Sequence, residues 1–265
     1  MVIQREKCEG AFRTIISETP MSQSWREDVE AAIRAGERIS DRHIVEQVRQ
    51  AVLSQRLPPG TRLPEVALGE IFGVSRSVVR RALTRLSAEH VIDQRPNQVS
   101  RVRAPSVEET RETFAARRLV EGEVAALLAS QGLEPEVLAS LEAEARAETE
   151  AYGRGDEPRR IAHSLAIHHR LAERSPNRVL GAMLTDLVLR TSIVIALYKR
   201  PSLASCYLKG DHPRLLESLR EGDAEGARRA IERHLVSLEA LLDLGPREEE
   251  TDLRAIFNGI ASAGV

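Results

Sequence analysis

Residues Gly73–Leu86 read GVSRSVVRRALTRL, and the reading of this stretch decides the fold. Val79, Ala82, Leu83 and Leu86 recur at helical spacing and form one apolar seam. Arg76, Arg80 and Arg81 fall outside that seam; Arg85 follows, and no acid stands among the four arginines. Ser75 occupies the N-cap position of such a helix. Gly73 suits the end of a shorter helix in PEVALGEIFG, whose first turn suits Pro64. Helix, tight turn, second helix is the order of a helix-turn-helix.

Working outward, DRHIVEQVRQAVLSQ predicts an earlier helix with Ile44, Val48, Ala51 and Val52 on one face, and LPPGTRL breaks it. Downstream, VIDQRPNQVSRVRA reads as two short strands about a turn at Pro96-Asn97, the shape of a wing. The second helix of such a motif enters the major groove with its N-terminal residues toward the base edges. Arginine suits that place because its guanidinium pairs bidentately with guanine and also grips phosphate. A solvated helix face is the plainer account of any run of charge; the helix-turn-helix spacing and the wing weigh against it here.

The charge balance agrees. The whole chain carries a formal charge of −2, yet Asp41 to Arg103 holds eleven arginines against six acids. A basic segment followed by an acidic one implies a division of labour, the first meeting a polyanion. Aromatic residues are only 3% of the chain, and Ala, Leu, Arg and Glu dominate, which suits packed helices. There is no run of eighteen consecutive apolar residues and no apolar signal core in MVIQREKCEG, so a cytoplasmic protein with no membrane span is expected. Cys8 and Cys206 form no disulfide framework.

PPGTRLPEVALGEIFGVSRSVVRRALTRLSAEHVI resembles the winged-helix domain of the GntR transcriptional regulators over about residues 41–103. The resemblance implies that Arg76 and Arg80 contact operator DNA, that Ser75 and Ser77 assist, and that Arg62 touches phosphate. Arg81 stands where the family usually has an acid, and adds phosphate attraction or a changed base preference. His90 and Val99 stand where the family usually has glycine.

Beyond a hinge at Ala104-Pro105-Ser106, helical periodicity predicts Val107–Ser130, Glu134–Gly153, Glu157–Glu173, Asn177–Tyr198, Ser205–Arg220 and Asp223–Asp243, punctuated by Pro135, Pro158, Pro176 and Pro201. FAARRLVEGEVAALLAS, HHRLAERSPNRVL and GDHPRLLESLREGDAEGARRAIERHL resemble the FCD effector domain of the FadR-like branch. That resemblance implies a chamber for a small carboxylate beside a divalent metal held by an aspartate and three histidines. His168, His212 and His234 take the histidine positions, while Ser164 stands where the aspartate belongs. His163 and His169 point away from the helical face of His168. Three neutral imidazoles can hold Zn²⁺ with water completing the shell; a metal-free pocket, in which the histidines bond a polar effector directly, is the alternative. Arg117 either clamps an effector carboxylate or pairs with Glu121 one turn on.

The fold expected is mainly α: an N-terminal extension (1–39), a winged helix-turn-helix (40–104), an antiparallel all-α effector and dimerisation domain (107–245) and a tail (246–265). The function expected is a non-enzymatic, effector-released repressor that binds a pseudo-palindromic operator in double-stranded DNA as a homodimer. A metal-dependent enzyme or a metal-ion sensor built on the three histidines is the rival reading.

Overall fold

The computed structural model describes residues 39–53, 56–200, 205–244 and 252–257. The helical hint at WREDVEAAIRAG lies outside them. The chain forms two compact units, one holding residues 39–106 and the other most of 107–243.

In the first unit, α1 (Asp41–Leu53) packs on α3 (Arg76–Ala88), with α2 (Glu65–Phe72) beside α3. Ile44, Val48 and Val52 of α1 meet a core that includes Leu68, Phe72, Val79, Leu83 and Leu86, all at most 2% exposed. Gly73 ends α2 with φ +62°, a left-handed conformation that a Cβ would strain, and so sets the turn into α3. Arg49 of α1 and Glu89, just past α3, form a buried ion pair at 2.6 Å that ties the two helix ends together.

The wing is a three-stranded antiparallel sheet in the order β1 (Arg62–Leu63), β3 (Ser100–Val102), β2 (Ile92–Asp93). Strand β1 is an addition to the expected hairpin; two residues are too few to show a period of two in sequence. Asn97 turns the hairpin with φ +57°. His90 also takes φ +57°, so the backbone there does ask for the glycine conformation, and Arg103 Nη1 lies 3.3 Å from its Nδ1. Val99 has no such φ; it is simply exposed.

The first unit has one more part. Helix α10 (Leu253–Phe257), from the far end of the chain, lies on it: Phe257 is 3% exposed, with its ring centroid 5.3 Å from that of Phe72. Arg254 pairs with Glu70 at 2.6 Å, and Arg56 donates to the Ile256 carbonyl at 3.3 Å.

The second unit is a helical bundle: α4 (Val107–Gln131), α5 (Pro135–Gly153), α6 (Glu157–Arg174), α7 (Arg178–Tyr198), α8 (Asp211–Glu221) and α9 (Ala224–Ala240). Helix α4 runs along α9 and α5 along α6, while α8 touches α4, α5 and α9. Side-chain caps set three starts: Asp156 accepts from the Arg159 amide, Asn177 from Val179 and Leu180, and Asp223 from Gly226. Helix α8 starts at Asp211 rather than at Ser205. Gly210 takes φ +86° immediately before it, a conformation that interrupts any helix arriving from 205. Gly181 of α7 sits where an added Cβ would lie 2.5 Å from the Ala172 carbonyl, so glycine permits the α6–α7 corner. Helix α7 has the length and mean hydropathy (1.8) of a membrane span. It carries an Asp186–Arg190 ion pair at mid-length and places Thr191 in the bundle interior.

Candidate nucleic-acid interface and candidate metal centre

Helix α3 presents its arginines to solvent, the side chains of Arg76, Arg80 and Arg81 being 65%, 64% and 59% exposed. The fold supplies acids that the local sequence lacks. Glu65, in the first turn of α2, accepts from Arg80 Nε through both carboxylate oxygens at 2.9 Å, and Arg76 Nε lies 3.7 Å away. Asp41, in the first turn of α1, lies 3.6 Å from Arg81 and 3.3 Å from Arg85. Burial pushes the Asp41 carboxyl up, but Arg85 and Arg81 outweigh it and hold it below the usual range. Ser75 has N-cap backbone geometry without a side-chain cap, because its hydroxyl turns to Ser77 Oγ at 2.8 Å. Both serines are exposed at the start of α3 beside the arginines, the end of a helix at which negative charge is favoured.

Arg62 is exposed on β1, directly across from Arg101 of β3. Like charges opposite one another on a sheet repel; Arg101 Nη1 donates to the Gly60 carbonyl at 3.1 Å. Arg101 was not legible as a partner of Arg62, since the pairing depends on a two-residue strand forty residues away.

In the bundle, α6, α8 and α9 bring His168, His212 and His234 together, each at most 5% exposed, with ligand nitrogens within 4.8 Å of one another. The Nε2 atoms of His168 and His212 are 3.4 Å apart. Two nitrogens bound to zinc at about 2.0–2.1 Å with a tetrahedral angle lie about 3.3–3.4 Å apart, against about 2.8–3.0 Å at a right angle. The His168–His212 pair has the tetrahedral separation.

Each imidazole is held through its other nitrogen. His168 Nδ1 bonds Glu121, His212 Nδ1 bonds Glu148 at 2.5 Å and His234 Nδ1 bonds Asp211 at 3.2 Å. Burial raises the Glu121 carboxyl, yet Arg117 and His168 hold it well below the usual range; Glu148 is likewise held low by His212, Arg160 and Ser164 against its burial. The bond from His234 lowers Asp211. Ionised carboxylates only accept, so Nδ1 carries the proton of each ring and Nε2 keeps its lone pair. Burial drives His168 down to about 3, with Glu121 opposing, and lowers His234 too, which keeps these two rings neutral. His234 Nε2 is buried without a hydrogen-bond partner. Three buried imidazoles with their Nδ1 atoms engaged, and one Nε2 without a partner, form a group of donors that could hold a metal ion.

Ser164 bonds Glu148 of α5, which in turn holds His212 through Nδ1. His163 pairs with Glu144 at 2.7 Å; buried His169, pushed down to about 3 by burial and the nearby His168 and Arg117, is also outside the triad. Arg117, 1% exposed, donates from Nε to Glu121 at 2.7 Å and from Nη1 to Thr191 at 2.6 Å. Its Nη2 is buried without a partner. The ion pair with Glu121 therefore exists, and Nη2 stays unpartnered beside it. Glu148 and Asp211 were missed in the sequence. Asp211 precedes His212, and nothing local says that it serves His234 twenty-three residues on.

Residues 40–102 match the family described as bacterial regulatory proteins, gntR family, and residues 112–237 match the FCD domain. The HTH-type transcriptional regulator LutR of Bacillus subtilis (strain 168) is 27% identical over 218 residues, 70% of this chain and 93% of that protein. The HTH-type transcriptional regulator Mce2R of Mycobacterium tuberculosis is 46% identical over 61 residues, 23% of this chain. That match spans only 25% of the relative's own length. Escherichia coli McbR/YncC shares the fold with a TM-score of 0.57 at 22% identity, over 82% of this chain and 94% of that one. A GntR protein from Rhodococcus sp. RHA1 gives 0.59 at 20%, over 76% and 95%. The chain belongs to the GntR family of bacterial regulatory proteins, in the branch whose C-terminal module is an FCD domain.

Proposed function

We propose that this chain is a cytoplasmic, ligand-responsive transcriptional regulator that works by binding and not by catalysis. A homodimer sets two copies of α3 into half-sites of a pseudo-palindromic operator in double-stranded DNA. Arg76, Arg80 and Arg81, with Ser75 and Ser77, meet bases and phosphates, and Arg62 grips phosphate at the wing. A small carboxylate in the FCD chamber shifts the population of head arrangements and releases the DNA.

His168, His212 and His234 would hold a divalent ion, zinc by the donor set, and Glu121, Glu148 and Asp211 orient them. Bound there, the ion would supply a Lewis-acidic positive centre. Arg117 Nη2 supplies a second, fixed donor to an anion in the same chamber. Ser164 acts through Glu148 and His212.

The observation that carries the reading is the joining, in one chain, of an arginine-faced winged helix to a bundle whose three buried imidazoles converge. Capture of the host's genomic fragments by the purified protein at moderate salt tests it. Enrichment of a short inverted repeat is the expected result; only sequence-blind, salt-sensitive retention would sink it. For the metal, elemental analysis of untagged protein grown with zinc should find about one ion per chain, and an empty protein would leave the metal-free chamber.

A further inference from the structure

We propose that Glu65 is a specificity-setting residue: it positions the guanidinium of Arg80, and secondarily of Arg76, so that α3 discriminates between base sequences. This rests on the DNA-binding reading above and extends it to a residue that contributes no positive charge to DNA.

The geometry is specific. Arg80 meets Glu65 through Nε alone, shared between both carboxylate oxygens at 2.9 Å. That use of Nε directs the other end of the planar group, the Nη1/Nη2 edge, away from α2. A guanine takes its two bonds from such an edge. Arg76, one helical turn before Arg80, puts its Nε 3.7 Å from the same carboxylate, so one acid stands between the two readers. Glu65 itself is well placed, 24% exposed in the first turn of α2 behind Pro64, where a negative charge suits the helix end.

Stability does not account for the arrangement. The arginines are more than three-fifths exposed, and ion pairs of that exposure add little to folding. A carboxylate beside a DNA interface also repels phosphate, so it works against indiscriminate binding. What it gains is orientation: a long side chain that would sample many rotamers arrives with its fork aimed. The consequence is a split that neither a phosphate contact nor a folding residue would produce. Removing the charge weakens binding to the right sequence while leaving binding to the wrong one unchanged or stronger.

The test uses the full-length protein and two duplexes. One is the sequence that wild type enriches from a random 25-base-pair pool, the other a scramble of the same composition. Glu65→Gln, which keeps shape and loses charge, should bind the enriched duplex about fivefold to tenfold more weakly and the scramble at least as tightly as wild type. In an Arg80→Ala background, Glu65→Gln should change the specific-to-scramble ratio by less than about twofold, because the positioned group is gone. Parallel loss on both duplexes, an unchanged ratio, or additive effects of the two substitutions would each overturn the proposal. A pool from which wild type enriches nothing would remove the DNA-binding reading itself, and this inference with it.

Discussion

Arg117→Met tests the interior of the FCD domain most directly. Arg117 and Glu121 are 1% and 0% exposed, and methionine fills most of the arginine volume, so the substitution removes charge rather than creating a large void. Breaking a buried pair from one side costs about 3–5 kcal/mol, because the remaining charge is uncompensated. The lower end applies here. Glu121 keeps its bond from His168, Thr191 keeps its own donation to Leu187, and the buried, unpartnered Nη2 disappears along with the rest. A loss of about 3 kcal/mol corresponds to a fall in Tm of about 6–12 °C at this chain length.

The cost should depend on pH, with a definite sign. In wild type the folded pKa of Glu121 is depressed, so its stabilising contribution is complete above the unfolded value of about 4.3 and is lost as the solution becomes acid. Without Arg117, burial raises the folded pKa above the unfolded one, and the folded state then binds the extra proton. The deficit of the variant should therefore be largest near pH 8 and shrink toward pH 5. Urea unfolding of chelator-treated protein, followed by far-UV circular dichroism, measures it. Adding Glu121→Gln should restore about 2 kcal/mol through coupling of the two sites. A cost below about 1 kcal/mol, or one that does not vary with pH, would refute the assignment of Glu121 as an ionised, Arg117-dependent carboxylate.

Other outcomes follow from the same contacts. Zinc at a hundredfold excess over its Kd should stabilise the wild type by about 2.7 kcal/mol, and His234→Ala should abolish that shift in a thermal melt with and without the ion. Phe257→Ala removes the ring packed on Phe72 and should lower the stability of the winged-helix unit by about 3 kcal/mol, read by hydrogen exchange of α2 amides. Gly181→Ala forces a Cβ against the Ala172 carbonyl and should destabilise the α6–α7 corner by about 1–3 kcal/mol, measured by urea denaturation.

Much of the winged helix was legible because its signals are local. The seam of Val79, Ala82, Leu83 and Leu86, the glycine after α2 and the asparagine in the wing each act within a few residues. Strand β1 is not legible in sequence because two residues carry no pattern, and α8 starts six residues later than periodicity predicts because Gly210 takes φ +86° just before it. Helix α4 matches its expected span to one residue, although polar side chains line its buried side. Thr110, Arg117 and Glu121 are buried, so that helix shows no clean apolar face.

By itself, then, the sequence determined which side chains could do chemistry: the arginines of α3, three histidines at separated positions, and Arg117 one turn before Glu121. Helical period and spacing carry that information, since both operate along the chain. Tertiary structure alone decided their partners. It placed Glu65 and Asp41 against arginines that have no acid in their own helix, and gave each histidine a carboxylate from another helix. It also left Arg117 Nη2 buried without a partner. Such pairings depend on how helices far apart in sequence lie against one another, and periodicity within a single helix is silent about its neighbours.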